Sequence, residues 1–332
     1  AVDGVSWRIL TEDFQTAYGQ LKSGQPVQLP RKTTSFKHWS YKLQEYAQGE
    51  ALQKELPYWL DARRTAVAPL PVDFPGGLHA NTSTQTVPLV LSAEETKAIL
   101  QEVPAAFHAQ VNDILLTALA QALQKWTGRN AFLVDLEGHG REEIIPGADL
   151  TRTVGWFTSA YPVLLEPGAP TATPGDALKV VKEQLRAVPN KGIGYGLLRY
   201  LSGDAATEAQ LKALPQAAIA FNYLGQFEQA GAEESTGHAQ SLAGTQDHPL
   251  LLTGYITGGQ LRLTWLYSAN IHRRTTIENL SNRYLEALRA LIAQCRKGAG
   301  GFTPSDFTKA KGLDQNKLDK LMSKIGGKGL KK

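Results

Sequence analysis

The side chains that could do chemistry crowd into one stretch, DLEGHGREEIIPGADLTRTVGWFTSAYP, residues 135–162. An apolar strand, AFLVDLE at 131–137, ends on Glu137 and runs at once into Gly138-His139-Gly140. Glycines beside a carboxylate let substrate or backbone come close. A carboxylate at the end of a buried strand is expected to be partly desolvated, which raises its pKa and suits it to proton transfer near neutral pH. The bland alternative for the same residue is a structural hydrogen-bond partner.

Other chemistries find less support. His139 invites a metal reading, but His38, His79, His108, His238, His248 and His272 are isolated, and no H-E-x-x-H pattern occurs. PNKGIGYG (189–196) has three glycines in G-x-G-x-G order and no preceding strand, a poor match to a dinucleotide or phosphate loop. There is no G-x-S-x-G elbow. The single cysteine, Cys295, sits in an apolar helical run and reads as a small buried hydrophobe. One cysteine excludes an internal disulfide and fits a reducing cytoplasm.

The elements that must position Glu137 follow from periodicity. A helix is expected over 5–21, with Val5, Ile9, Leu10, Phe14, Ala17 and Leu21 on one side. Ser35 can cap a second, from Phe36 to about Gln48, with Trp39 inward, and a third is expected at roughly 50–64 around Pro57. Residues 67–83, rich in Pro and Gly, read as a crossover. After it strands and helices alternate. TQTVPLVL has period two; Ser92-x-x-Glu95 is a capping box; Asn112 can cap a helix closed by Gly128. Strands are expected at 131–137, 156–166 and 217–225, and a helix at 174–187. A hairpin turns on Gly258-Gly259 and is followed by a long amphipathic helix. This order predicts a mixed α/β sandwich. Residues 229–246 read as a surface loop. Near the end Leu318, Leu321, Met322 and Ile325 make a narrow stripe, either solvated or offered to a partner protein.

Of the 332 residues, 42% are apolar and 20% charged, ordinary for a globular enzyme. No apolar run is long enough for a membrane span. The net charge of +4 arises in the last 24 residues, without which the body is slightly acidic. No basic stripe with interleaved aromatics occurs in the body, so neither nucleic acid nor membrane is an expected partner.

EGHGRE (137–142), RTVGWFTSAYP (152–162), PNKGIGYG (189–196) and FNYLGQF (221–227), with NDILLTALAQAL upstream, resemble in order and spacing the signature motifs of epimerization domains of nonribosomal peptide synthetases, in the condensation-domain superfamily. The resemblance covers roughly residues 1–307. It implies a two-lobed, chloramphenicol-acetyltransferase-like α/β sandwich: 1–75 as the remainder of an N-terminal lobe, 76–300 as the C-terminal lobe, and 301–332 as a linker or docking tail. The superfamily carries H-H-x-x-x-D-G. Asp3-Gly4 would be its last two residues, so the histidines are expected upstream of Ala1, on an N-terminally truncated domain.

The resemblance further implies an isomerase. Such a domain inverts the α-carbon of an aminoacyl or peptidyl thioester held on the phosphopantetheine arm of a peptidyl carrier protein. No metal or other directly bound cofactor is expected. Glu137 matches the family's catalytic glutamate; one-base and two-base mechanisms both stay open. Tyr223 matches a tyrosine near the reacting centre, as hydrogen-bond donor or as packing; Asn222 is a weaker candidate. Asp3, Gly4 and Arg141 support the site, Asp3 being expected to pair with Arg141. Arg152 and Trp156 are expected to position the loop and line the tunnel. The tail suggests a further synthetase protein, acting downstream, as a second partner. Two other functions stay open: an amide-forming condensation domain and a non-catalytic carrier-protein-binding module. With the histidines missing, the isolated chain is expected to be nearly inactive, and its apolar faces at Trp7, Trp39 and Trp59 uncovered.

Overall fold

Six strands form one mixed sheet in the computed structural model, which describes residues 2–226, 241–307 and 314–326. They are β1 (Thr84–Val90), β2 (Phe132–Gly138), β3 (Ser159–Leu165), β4 (Ile219–Gln226), β5 (Leu250–Thr257) and β6 (Gln260–Ser268), in the order β1-β6-β5-β4-β2-β3. β5 and β6 are the antiparallel hairpin read from sequence, with Gly258 and Gly259 both at positive φ. β1 pairs antiparallel with β6, and β4 runs parallel to β5. β1 lies at the edge of the order, which is where a strand can hold Pro88.

The chain separates into two compact units. One comprises residues 1–66, 135–162 and 188–215, the other 67–134, 163–187 and 216–332. Compactness is thus interleaved along the chain; the lobe boundaries at 75 and 300 stand as expectations. In the second unit the sheet supplies a period-two apolar face: Leu250, Leu252 and Ile256 of β5 with Leu261, Leu263, Trp265 and Tyr267 of β6. The helix Arg274–Arg296 lays Ile277, Leu280, Tyr284, Leu288 and Leu291 into the same core. Trp265 meets Tyr284 edge to face at 5.9 Å. The helix Val111–Thr127 packs alongside, almost wholly buried on one flank.

The first unit is helical around a small cluster of Trp39, Leu150, Phe157 and Ile193. Its opening helix, Gly4–Lys22, is capped by Asp3, whose carboxylate accepts from the Ser6 amide. The second, Phe36–Ala47, is capped by Ser35 as expected.

Several expectations are corrected. The helix at 50–64 is three short turns, Glu50–Gln53, Leu56–Trp59 and Ala62–Thr65, because Pro57 can only stand at a helix start. Asn112 lies inside its helix; Gln110 caps it, in a box with Asp113. The strand expected from 156 begins at Ser159, after an irregular stretch. Of the face expected inward on the first helix, only Ile9 is buried; Leu10, Phe14 and Leu21 are exposed. Trp7 is exposed as expected, but Trp39 and Trp59 are buried, because the turns of the first unit close over them. Cys295 is half-buried rather than buried, and burial pushes its thiol pKa up. Most of the loop expected at 229–246 lies outside the described residues. In the helix Gln315–Gly326, Leu318 is buried in the chain itself while Leu321 and Met322 are exposed; the side chain of Ile325 lies outside the described residues. The stripe is therefore already partly taken up.

Candidate functional site

Glu137 is the penultimate residue of β2. From Val134 onward the strand alternates: Val134 and Leu136 are buried, while Asp135 and Glu137 share the opposite face. Glu137 is exposed there. The desolvation expected at the end of a buried strand is therefore not supplied by the described residues. The pleat explains the difference: a run buried at 132–134 and 136 still turns residue 137 away from the core.

The loop that follows is held rigidly. Gly140 has φ 66°, and a Cβ there would fall on the Phe157 carbonyl oxygen, so the loop passes against the 157 backbone only as glycine. The His139 Nδ1 accepts from the Arg141 amide at 3.0 Å, and its Nε2 faces the Glu142 carboxylate at 3.3 Å. Both ring nitrogens are thus engaged by protein.

Arg141 and Asp3 form the bidentate pair expected of them, with Nη1 donating to Oδ2 at 2.6 Å and Nη2 to Oδ1 at 3.1 Å. Nη2 also donates to the Ser6 hydroxyl and the Thr153 carbonyl, and the guanidinium lies 4.1 Å from the centre of the Phe157 ring. Asp3 further accepts from the amides of Ser6 and Phe157. Burial alone would raise the Asp3 pKa. The hydrogen bonds from Arg141, Ser6 and Phe157 outweigh it and hold the carboxyl below the usual carboxylate range. With every strong lone pair of Asp3 spoken for, it is a fastening and not a base. Gly4 is exposed in the first helical turn, and a Cβ there would meet nothing within 4 Å.

Arg152, expected to position the loop, pairs with Glu12 at 3.0 Å and with Asp13 and so ties the loop to the first helix. Trp156 is exposed. On β3, Tyr161 is pushed up to about 12 by burial, with Glu142 and Tyr58 adding to it.

In the second unit, Asn222 and Tyr223 are half-buried on β4, opposite Thr253 and Gly254 of β5. A Cβ at Gly254 would press on the Leu263 side chain at 2.8 Å and stand in ordinary contact, 3.4 Å, with the Tyr223 ring. The register shifts between Tyr223 and Gln226. Burial raises the Tyr223 pKa, so its phenol stays protonated and able to donate at neutral pH.

Sequence reasoning missed Glu55, Glu142 and Lys191. Glu142 was within reach, being the last residue of EGHGRE; a second acid five residues after the first is a cue. Glu55 carried no cue.

Among the described residues, no cluster of three or more His, Cys, Asp or Glu is arranged to hold a metal ion, and no helix is long and apolar enough to cross a membrane.

Residues 1–311 match the condensation domain model, and the chain belongs to that family, found in nonribosomal peptide synthetases. It is 52% identical to one of the linear gramicidin synthase proteins of Brevibacillus parabrevis, over 97% of its own length and 4% of that protein's. It is 48% identical to another protein of the same synthase, over 97% of this chain and 6% of that one. The chain therefore spans only a small part of these relatives. Among solved structures, the epimerization domain from the third module of tyrocidine synthetase B superposes with a TM-score of 0.83 at 39% identity, over 89% of this chain and 68% of that one.

Proposed function

We propose that the chain is an epimerization domain, converting the L- to the D-configuration at the α-carbon of an aminoacyl or peptidyl group held as a thioester on the phosphopantetheine arm of a peptidyl carrier protein. The reading is supported most by one observation: an accessible Glu137 at a strand end, followed by a loop that Asp3, Arg141 and Gly140 hold in a single conformation. The similarity to the tyrocidine synthetase epimerization domain adds to it.

A thioester acidifies its α-hydrogen. The Glu137 carboxylate takes that proton, and the C–H electron pair becomes an enolate with its charge on the thioester oxygen. A proton delivered to the opposite face gives the D-epimer, and the C–S bond stays intact throughout. Tyr223, held as a neutral phenol, is assigned to donate to the enolate oxygen. Asp3, Gly4, Arg141 and Asn222 are assigned support. Chemistry then needs no directly bound cofactor beyond the carrier's own arm.

The test uses the full-length protein that contains this chain and an L-aminoacyl thioester on a carrier protein, in deuterated water. Solvent deuterium at the α-carbon with D-product is the expected result. The match to the condensation domain model favours one second reading, amide formation with an acceptor amine. Acceptor-dependent peptide product without α-exchange would establish that reading and remove the first.

A further inference from the structure

Two carboxylates in the first unit are buried and have no part in the reaction just described, Glu55 at 6% and Glu142 at 8% exposure. Each fastens one residue of the same backbone outlier. Asn190 and Lys191 are consecutive non-glycine residues in the left-handed region, with φ 40° and 51°, and Gly192 follows at 86°. A side chain is crowded in that conformation, and runs of it persist only where the surroundings over-determine them.

Here they do. Asn190 Nδ2 donates to Glu55 Oε1 at 2.7 Å, and the Trp59 indole donates to Oε2 at 3.2 Å. A Cβ on Gly194 would fall on the Glu55 carboxylate, and one on Gly192 would fall on the Tyr161 ring. Gly192 and Gly194 of PNKGIGYG thus make room for an aromatic ring and a protein carboxylate, not for a phosphate. Lys191 Nζ pairs with Glu142 Oε2 at 3.0 Å, and Glu142 Oε1 faces His139 Nε2. The Lys191 carbonyl lies close to Gly138, the residue directly after Glu137: a Cβ there would stand 3.7 Å from it, in ordinary contact, and 2.9 Å from the Ser159 hydroxyl.

We propose that Glu142 and Lys191 are positioning residues for the proton transfer assigned to Glu137: their ion pair clamps the 138–142 loop to the left-handed turn and sets the direction in which the strand end presents its carboxylate. Arg141 and Glu142, adjacent in sequence, then fasten the loop to different places, to Asp3 and to the 190–192 turn. The inference rests on the epimerase reading of Glu137.

The experiment measures α-hydrogen exchange by the full-length protein with a carrier-bound L-aminoacyl thioester. Variants are K191M, K191R, E142Q, K191M/E142Q, E137Q and the exposed control K42M. K191M and E142Q are each expected to lower kcat about 10- to 100-fold, with KM held within about twofold, because a small misplacement costs rate rather than binding. The double variant should be no worse than the poorer single one, since both remove the same contact. K191R should restore most of the rate, and K42M should match the wild type. Wild-type kcat in K191M and E142Q would overturn the proposal. So would losses confined to KM, or losses that follow a lowered melting temperature and are not rescued in K191R. Should E142Q fail to fold, K191M and K191R decide, because the Lys191 side chain is 73% exposed. Failure of the parent reading looks different: a wild type that exchanges no α-hydrogen, or an E137Q variant as active as wild type, removes both.

Discussion

In the hairpin at 250–268 Leu250, Leu252 and Ile256 on one strand and Leu261, Leu263, Trp265 and Tyr267 on the other are buried at period two, and an aromatic pair, Trp265 and Tyr284, fills the space behind them. In the loop at 138–157 Leu150 and Phe157 reach a small apolar cluster, but the loop's first turns are set by polar contacts: the buried Arg141 guanidinium held by Asp3, the buried Glu142 carboxylate, and Gly140 closed against the Phe157 backbone. The first kind of structure is graded. A lost methylene costs some packing, and the chain relaxes around the gap. The second is nearly all-or-none, because a buried charge that loses its partner is left unpaired in a poorly solvating place. A loop that must hold a carboxylate in one direction is better made from directional contacts than from non-directional burial.

The comparison is broken most severely at Glu137. Because the side chain is exposed, E137Q should leave the melting temperature unchanged while α-hydrogen exchange falls ~10²–10⁴-fold; parallel loss of fold and activity would mean that Glu137 is structural after all. In the hairpin core W265A should cost about 3–5 kcal/mol in urea unfolding. The loop's counterpart, R141M, should cost roughly 3 kcal/mol or more by stranding Asp3, and R141K should recover only part, since an ammonium cannot make the two parallel contacts. If R141K equals wild type, the directional account of the loop is wrong.

A pH arm sharpens the contrast within the second unit. Burial lowers the His272 pKa, and the Asp73 carboxylate offsets only part of that. Below about pH 6.5 the unfolded chain takes up a proton that the folded chain resists, so stability is full above that range and is lost as pH falls through it, by up to about 1.4 kcal/mol per pH unit. Chemical unfolding at pH 7.5 and 5.5 should show the difference, and H272Q should flatten it. The smallest effect is expected at F14A, on an exposed helix face, where the change should stay within about 0.5 kcal/mol.

Local chemistry made much of this legible in one dimension. The hairpin turn needed two residues at positive φ and has Gly258-Gly259; the cap at Ser35 and the box at Ser92 lie within three residues of their partners. The pairing of Asp3 with Arg141, expected beside the resemblance, is present. Where the reading failed, the deciding contact was distant or depended on a face. Glu137 turned outward on the pleat, and Glu55 found Asn190 across 135 positions.

Periodicity, turn residues and caps are short-range properties of a chain, so composition and spacing alone were enough to place the hairpin and most of the longer helices. Which carboxylate is buried, which is open and which cation each one meets depended on packing among segments far apart along the chain. A charge is tolerated inside only where the fold brings it a partner, and no local pattern records that meeting.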